Sequence, residues 1–209
     1  MSIHARSTPP SRHDNADLVP GFADPVHDAQ ASFRVILDTV AHPGRIETLP
    51  VSLAAAPPAP LGVAAAAVAL ALCDIDTPIW LDAPLAAASR YLSFHCGAPA
   101  APNPAHASFA FATNSAALPS LESFALGSDE YPDRSTTLVI EVGGLIPDRG
   151  IRLVGPGIRS EALLSALGLP AHFWEERAAL AELLPRGLDI ILVSGAELAA
   201  LPRWARVAP

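Results

Sequence analysis

Asp74, Asp76 and Thr77 form the cluster in this sequence whose residue types could most directly do chemistry. Two carboxylates one residue apart can bind magnesium, and such a pair opens the catalytic motif of one class of phosphatases. That motif needs a preceding strand, a threonine one place later and a basic group that is usually a lysine, whereas here a helical pattern precedes and the threonine comes early. Ahead of Pro78, the same residues are typical of a turn in which Asp76 and Thr77 accept hydrogen bonds from backbone N–H groups. The pattern favours the turn, and a magnesium site remains the alternative.

Other polar residues give weaker signals of a site. His95 beside Cys96 could indicate an activated thiolate, but no acid lies nearby to orient the pair, and such a cysteine usually packs as a small apolar side chain. The glycine-proline-glycine segment at 155–157, followed by Arg159, could cradle a phosphate at a helix N-terminus, although its proline removes one N–H donor. A plain turn is favoured there. For Arg34, on the first predicted helix, a structural ion pair is favoured over an anion site.

Charge and composition exclude several classes of protein. The 209 residues carry a formal charge of −8, which argues against binding to nucleic acid phosphates. All thirteen basic residues are arginines, so a Schiff-base lysine, a P-loop lysine and a lysine general base are excluded. The two cysteines form no CxxC pair, which is typical of a reduced, cytoplasmic setting and supplies no iron–sulfur ligand set. Neither a secretory signal nor a membrane span is expected, because residues 1–19 lack an apolar core and the longest apolar run, 61–73, is too short.

The first helix has clear boundaries in the sequence. Asp24 is a good N-cap, Pro25 suits the first helical position, and Pro43-Gly44 ends the helix. Apolar residues recur at helical spacing within it. We therefore expect Phe33 to be buried against a sheet, so that Phe33→Ala would cost roughly 3–5 kcal/mol.

Helical and strand patterns alternate through the rest of the chain. Residues 1–22 are polar and aperiodic, which predicts a disordered tail ahead of one domain at 23–209. Strands are predicted at 45–49, 78–81, 108–113, 136–145, 150–154 and 188–193, with a last edge element at 198–207, and helices at 61–73, 85–94, 159–167 and 171–184. The strands at 136–145 and 150–154 are expected to form a hairpin through a turn at 147–150. Alternation with one hairpin predicts an α/β fold with a mixed sheet and helices on its faces.

Several short blocks of residues along the chain match the sequence pattern of a known family, and they occur in the same order. They include PVHDAQ at 25–30, SFR at 32–34, DIDTP at 74–78, GSDEYPD at 127–133 and GPGI at 155–158, with shorter blocks at 43–44, 80–81, 94–95, 152–153, 187–189 and 201–203. Together these blocks resemble the PhnH family, the H subunit of the carbon–phosphorus lyase core complex, over residues 22 to 207. Trp204-Ala205 departs from the hydroxyl-bearing pair expected after Pro202-Arg203, which weakens any inferred role for that edge.

The resemblance implies a fold and a set of partners. The fold would be a three-layer α/β/α arrangement similar to that of pyridoxal-phosphate-dependent transferases, but without the cofactor or its site. The missing lysine agrees independently with the absence of pyridoxal phosphate. The resemblance further implies a homodimer in isolation, and assembly with the G, I and J subunits in the core complex.

The implied function is that of a non-catalytic but required subunit without cofactor or metal. The complex would convert ATP and an alkylphosphonate to a ribose 1-phosphonate 5-triphosphate, as an alpha-D-ribose 1-methylphosphonate 5-triphosphate synthase, before a radical iron–sulfur subunit cleaves the C–P bond. The candidate ligand or interface residues are polar positions, mostly within the matching blocks, namely Arg34, Asp74, Asp76, Thr77, His95, Arg152, Asp189 and Arg203. Two alternatives remain. One is a dimeric module that binds a phosphonate or nucleotide through Arg34, Arg152 or Arg203, and the other is a metal-dependent phosphohydrolase centred on Asp74 and Asp76.

Overall fold

The computed structural model describes residues 19–113 and 118–208. Most of the predicted N-terminal tail lies outside the described residues. Its last residues are described, and Phe22 is buried and forms an isolated bridge with Leu53. No helix in the described residues is long and apolar enough to cross a membrane.

Four α-helices and nine strands make up the regular structure of the described residues. The helices are α1 (Pro25–Ala41), α2 (Val63–Leu72), α3 (Ser89–Cys96) and α4 (Ala171–Leu180). The strands are β1 (Ile46–Thr48), β2 (Ile79–Leu81), β3 (Phe109–Ala112), β4 (Thr137–Glu141), β5 (Gly144–Val154), β6 (Ala162–Leu167), β7 (Asp189–Ser194), β8 (Glu197–Leu201) and β9 (Arg206–Val207). Short 3-10 helices precede α3, at Ala83–Ala88, and follow α4, at Ala181–Leu183.

The main sheet is mixed, as the sequence predicts. Its strand order is β1-β8-β7-β4-β3-β2. The four strands β7, β4, β3 and β2 run parallel, while β8 is antiparallel to both of its neighbours. A second, three-stranded antiparallel sheet has the order β6-β5-β9. The carboxyl ends of four parallel strands therefore meet at one edge of the main sheet.

Two apolar cores cover the two faces of the main sheet. On one face, α1, α2 and α3 pack against side chains such as Phe111 and Val139. On the other face, α4 and the small sheet pack against side chains such as Leu138 and Ile190. The strand β7 is apolar throughout its centre because its side chains enter both cores. The α/β class with helices on both faces is therefore confirmed.

The predicted register of α1 is wrong, although its caps are confirmed. The Asp24 side chain accepts a hydrogen bond from the His27 N–H, and proline occupies the first turn. The buried residues of α1 are Ser32, Ile36 and Thr39, whereas Phe33 is 47% exposed. The reason is the neighbour, because α1 packs on the alanine-rich α2 and a close helix–helix contact takes small side chains.

The predicted hairpin is also wrong, because β5 does not pair with β4. Both edges of β4 are occupied, by β3 and by β7. Residues 144–154 instead form one long strand that pairs with β6 and β9. The turn residues are absorbed as an irregularity in which the register shifts between Pro147 and Ile151, and Asp148 and Gly150 adopt positive φ angles of 57° and 89°.

The predicted helix at 159–167 is a strand. Residues Ala162–Leu167 form β6, although their alanine and leucine content favours a helix. Their backbone groups bond to β5, and Leu164 is fully buried in the second core. Tertiary pairing therefore overrides local helix propensity at this segment. The final element differs as well, because β8 lies inside the main sheet between β7 and β1.

Candidate functional site

The Asp74–Thr77 segment is an exposed, internally bonded turn. The Thr77 hydroxyl accepts from the Asp74 N–H at 2.6 Å and donates to the Asp74 carbonyl at 2.9 Å. The Asp74 carboxylate accepts from the Asp76 N–H at 3.0 Å. Thr77 and Asp74 thus supply the turn bonds, whereas Asp76, which the sequence pattern also placed in that role, makes no side-chain hydrogen bond within the described residues.

A metal centre at this turn would need further ligands. The Asp74 carboxylate is already used by the turn, and no group of three or more histidine, cysteine or acidic side chains converges anywhere in the described residues. The turn also lies directly before β2, at the amino end of that strand. In open α/β sheets, ligands usually bind beyond the carboxyl ends of the strands. The position therefore favours a structural role for Asp74 and Thr77.

Asp189 and Arg203, two of the candidate residues, are 14 positions apart in the sequence and form one ion pair in the structure. Asp189 is the first residue of β7, and Arg203 follows β8. The Arg203 Nη2 lies 2.5 Å from the Asp189 Oδ2, and the Arg203 backbone N–H and Nε both donate to the Asp189 Oδ1, at 2.8 and 3.3 Å. The two side chains are only 27% and 13% exposed, for Asp189 and Arg203 respectively. The pair is therefore largely withdrawn from solvent and from any ligand.

Arg203 also holds the loop that precedes β4. Its Nη2 donates to the Ser135 hydroxyl at 2.6 Å, and its Nη1 donates to the Pro132 carbonyl. The matching block at 127–133 ends in this loop. Arg203 thus ties the loop to the first residue of β7, which is a structural use of the fork-shaped guanidinium.

A cleft of about 450 Å³ opens at the same amino edge of the parallel strands. It is lined by residues of the turn before β2 and of the segments that lead into β3 and β4, among them Thr77, His106, Asp133, Arg134 and Ser135. His106 bonds to Asn103, and the Arg134 guanidinium lies 4.1 Å from the centre of the Tyr131 ring. Thr77, His106, Arg134 and Ser135 therefore have partners within the chain, whereas the Asp133 side chain makes no hydrogen bond or ion pair within the described residues.

The carboxyl edge of the parallel strands holds acidic residues that the sequence reading did not single out. Asp82 follows β2 and is buried, and its carboxylate accepts from the Leu85 and Thr113 backbone N–H groups at 3.1 and 2.7 Å. Glu141 ends β4, and its carboxylate accepts from the Gly62 N–H at 2.5 Å. The sequence feature that could have identified both residues is an acidic side chain placed directly at the end of an apolar strand.

Glu141 occupies the N-terminus of α2, the position that commonly binds a ligand phosphate in α/β proteins. Gly62 is the N-cap of α2 and has no side chain to cap the helix. A side chain there would meet the carboxylate, since a Cβ at position 62 would lie 2.7 Å from the Glu141 Oε2. Burial raises the pKa of Glu141, and the nearby charge of Asp82 adds to the rise. The edge is thus self-capped and acidic, and it repels anions.

His95 and Cys96 do not form an activated pair. Burial raises the pKa of the Cys96 thiol to about 11, so the thiolate is disfavoured. The His95 ring packs instead against two aromatic rings, with centroids 4.4 Å from Tyr91 and 5.0 Å from Phe94. The packing interpretation of Cys96 agrees with this geometry.

The remaining arginine candidates are separate surface positions. Arg34 is exposed on α1 and makes no ion pair within the described residues, contrary to the expected structural pair. Arg152 on β5 is 47% exposed, with its Nη1 3.8 Å from the Glu161 Oε2. No helix begins after Gly157, whose turn packs on the end of α1, so a phosphate cradle at a helix N-terminus does not form there. The eight candidates therefore do not converge on one site.

Arg177 is a buried charge that the sequence reading missed. It lies on α4, and its Nη2 donates to the Pro202 and Ala205 carbonyls at 2.6 and 2.9 Å. Burial lowers its pKa to about 10. Arg177 and Arg203 together anchor the segment between β8 and β9, which contains no helix or strand.

Comparisons with known proteins agree on one family. The sequence model of a family described as bacterial phosphonate metabolism protein (PhnH) matches residues 20–208. The chain is 45% identical over 188 residues to the alpha-D-ribose 1-methylphosphonate 5-triphosphate synthase subunit PhnH of Rhizobium meliloti (strain 1021), which covers 89% of this chain and 93% of that protein. It is 39% identical over 82 residues to the putative C-P lyase subunit protein HtxG of Stutzerimonas stutzeri, covering 39% of this chain and 42% of that one.

Proposed function

The chain belongs to the PhnH family of bacterial phosphonate metabolism proteins, and from this premise we propose that it is a non-catalytic but required subunit of a carbon–phosphorus lyase complex. Within that complex it would support the synthesis of alpha-D-ribose 1-methylphosphonate 5-triphosphate. The observation that carries the proposal is the near full-length match to a subunit of that synthase.

The partners and setting follow from the same family resemblance. We infer assembly with the G, I and J subunits in the cytoplasm, and a homodimer when the chain is isolated. We also infer that the fold is of the pyridoxal-phosphate transferase type without the cofactor. The absence of lysine supports the lack of the cofactor, because an internal aldimine needs a lysine amine.

The engagement of polar side chains supports a structural role for the chain. A catalytic group must be free to meet a substrate atom. Asp189 and Arg203 are paired with each other, and the Asp82 carboxylate binds backbone N–H groups. Glu141 occupies the helix terminus at which a phosphate would otherwise bind. The chemistry of the complex is therefore assigned to other chains.

The two alternative functions have less support. A phosphonate- or nucleotide-binding module would need arginines gathered around a cleft, but Arg34, Arg152 and Arg203 lie on different elements and Arg203 is already paired. A phosphohydrolase at Asp74 and Asp76 would need a free carboxylate pair, whereas Asp74 is used by its own turn. Both alternative functions can be tested on the isolated chain.

Reconstitution with the other subunits tests the proposal. The G, I and J subunits are co-expressed with and without a tagged copy of this chain, and both the co-purified subunits and the rate of triphosphate synthesis are measured. We expect co-purification in a fixed ratio and a rate that depends on this chain. Assembly and full rate without this chain would overturn the proposal.

The isolated chain supplies the control for an independent activity. It is titrated calorimetrically with methylphosphonate and with ATP, and assayed for magnesium-dependent phosphate release. We expect no heat of binding and no turnover. Saturable binding would favour the ligand-binding module, and magnesium-dependent turnover would favour the phosphohydrolase.

A further inference from the structure

The edge strand β2 of the main sheet leaves the backbone of one residue open to a partner. It is the last strand of that sheet and pairs with β3 on one side. On its other side, the Ile79 N–H donates to the Pro99 carbonyl and the Ile79 carbonyl accepts from the Ala101 N–H, both at 2.8 Å. The alternation of a strand turns the N–H and carbonyl of Leu81 to that same side, where neither has a hydrogen-bond partner among the described residues. A further extended segment can therefore bond to β2 at Leu81.

A groove of about 500 Å³ lies beside this open edge, between β2 and α3. Its buried lining residues include Leu92 and Ala98, and Trp80 adds a half-buried aromatic ring. Its exposed lining residues include Ser89 and Ser93 of α3, and no charged side chain of the described chain lines it. A free strand edge next to an apolar groove suits an extended peptide, whose main chain bonds to the strand while alternate side chains enter the groove.

We propose that the occupant of this groove is residues 1–6 of the same chain, which lie outside the described residues. The inference goes beyond the proposed function and does not rest on it. Although the N-terminal tail as a whole has no periodicity, Met1, Ile3 and Ala5 alternate with polar residues, the pattern of a strand with one apolar face. Along β2, this segment bonds to the Leu81 backbone and places Ile3 in the groove.

The described chain begins close to the groove. Gly21 packs on α2, since a Cβ at that position would lie 2.6 Å from the Leu70 Cδ2. The Gly21 carbonyl accepts from the Ala55 N–H at 3.5 Å, and the Ala55 carbonyl accepts from the Tyr91 hydroxyl on α3 at 3.2 Å. Residues 7–18 span up to about 40 Å when extended, whereas α3 is only about 12 Å long. The connection is therefore long enough for residues 1–6 to reach the groove.

Charge favours the N-terminal segment as the occupant. The turn at 74–77, directly before β2, exposes two carboxylates. This turn borders the end of α3, because a Cβ at Gly97 would lie 3.9 Å from one of its backbone nitrogens. Residues 1–13 carry Arg6 and Arg12 and no acidic residue, in a chain whose formal charge is −8. The basic part of the tail therefore complements the acidic turn at one end of the groove.

The bound segment closes the open edge of the main sheet. An exposed strand edge is a template for pairing with other chains, so residues 1–6 act as a cover for β2. Two main-chain hydrogen bonds at Leu81 and the side chain of Ile3 hold this cover. Because so few contacts hold it, a single substitution on either side of the contact should release it.

Disulfide trapping in the whole 209-residue chain tests the contact. Ile3→Cys is combined with Ser93→Cys, and in the matched control with Ser160→Cys, an exposed serine in the turn before β6. The proteins are oxidised at low concentration, and the linked peptides are identified by mass spectrometry, so that bonds to the native Cys73 and Cys96 are told apart. We expect an internal bond between positions 3 and 93 to form at least about 10-fold faster than one between positions 3 and 160. Equal rates, or faster bonding to position 160, would overturn the proposal.

Amide hydrogen exchange measured by NMR tests the pairing with β2. The Leu81 N–H should exchange at least about 10-fold faster in Ile3→Asp and in Ser93→Trp, where an indole fills the groove, than in the wild type. Ser160→Trp is the matched control and should exchange like the wild type, and the amides of β1, the opposite edge of the sheet, should be unchanged throughout. A Leu81 amide that exchanges equally fast in all four proteins would overturn the proposal. Protection that survives Ile3→Asp but is lost in Ser93→Trp would also overturn it, because the groove would then hold a different occupant.

Discussion

Replacement of Arg203 by alanine should destabilise the protein strongly, because this residue joins three segments. Its side chain binds Asp189 at the start of β7, the Ser135 hydroxyl before β4 and the Pro132 carbonyl in the preceding loop. The substitution leaves the Asp189 carboxylate, which is only 27% exposed, without its guanidinium partner. The backbone N–H of residue 203 remains as a donor to that carboxylate.

The expected loss is about 3 kcal/mol in the free energy of unfolding. Removing one partner of a buried ion pair costs roughly 3–5 kcal/mol, and the lower end applies because Asp189 retains some solvent and one backbone bond. In a domain of this size, about 1 kcal/mol shifts Tm by roughly 2–4 °C, so the expected drop is about 6–12 °C. The stability of Arg203→Lys should lie between those of the wild type and Arg203→Ala, because an ammonium keeps the charge but cannot span the three acceptors.

Urea and thermal unfolding followed by circular dichroism measure this loss. Arg152→Ala is the matched control, because Arg152 is 47% exposed and lies 3.8 Å from Glu161, and exposed pairs contribute at most about 1 kcal/mol. A double-mutant cycle with Asp189→Asn isolates the pair, with an expected coupling of about 2 kcal/mol.

A ligand-binding role for Arg203 would give a different pattern. The Arg203→Ala protein would unfold within about 2 °C of the wild type, with a coupling to Asp189 below about 0.5 kcal/mol, while binding of a phosphonate or assembly with other subunits failed. That outcome would refute the structural assignment of the pair.

Three further substitutions probe other parts of the structure. Phe33→Ala should lower the free energy of unfolding of the monomer in urea by under about 1 kcal/mol, because the side chain is half exposed. Ile36→Ala should lower it by about 2–4 kcal/mol, because Ile36 is buried on the inner face of the same helix. Equal losses would contradict the observed register. Burial raises the pKa of Glu141 above its ordinary value of 4.5, so folding favours the protonated carboxyl, and the stability that this preference contributes is lost as the pH rises through the folded pKa. Glu141→Gln should therefore be more stable than the wild type between about pH 5 and 7 and no more stable below about pH 4. A stability gain that grows on acidification would contradict the assignment. Asp74→Ala should lower the free energy of unfolding by about 1 kcal/mol, because the Asp76 N–H loses its acceptor, and Asp76→Asn should leave stability nearly unchanged. The synthase rate of the reconstituted complex should be unchanged in both. A folded, assembled complex whose rate has collapsed would establish catalysis at this turn.

Local patterns in the sequence were sufficient for most elements. Asp24 and Pro25 begin α1 as predicted because capping depends on residues within one turn. The alanine-rich run gives α2, and the continuous apolar run gives β7 at the centre of the sheet. These signals are local, so they can be read without knowledge of the rest of the chain.

The contacts of the candidate residues could not be predicted from local patterns in the sequence. Asp189 and Arg203 were picked out separately, and their pairing depends on the β7–β8 connection that returns the chain to the start of β7. Glu141 and Gly62 are 79 positions apart, and no local pattern joins them. Contacts of this kind depend on sheet order, which periodicity does not encode.

The sequence by itself determined the α/β class and excluded lysine chemistry. It also showed the resemblance to the PhnH family, and the comparisons confirmed that family. Only the tertiary structure decided that Phe33 faces outward, that β5 avoids β4 and that Ala162–Leu167 is a strand. The physical reason is the same in each case. Burial and backbone hydrogen bonding depend on which distant segment supplies the neighbour: α1 packs on the alanine-rich α2, β4 has no free edge, and β5 offers an edge to β6.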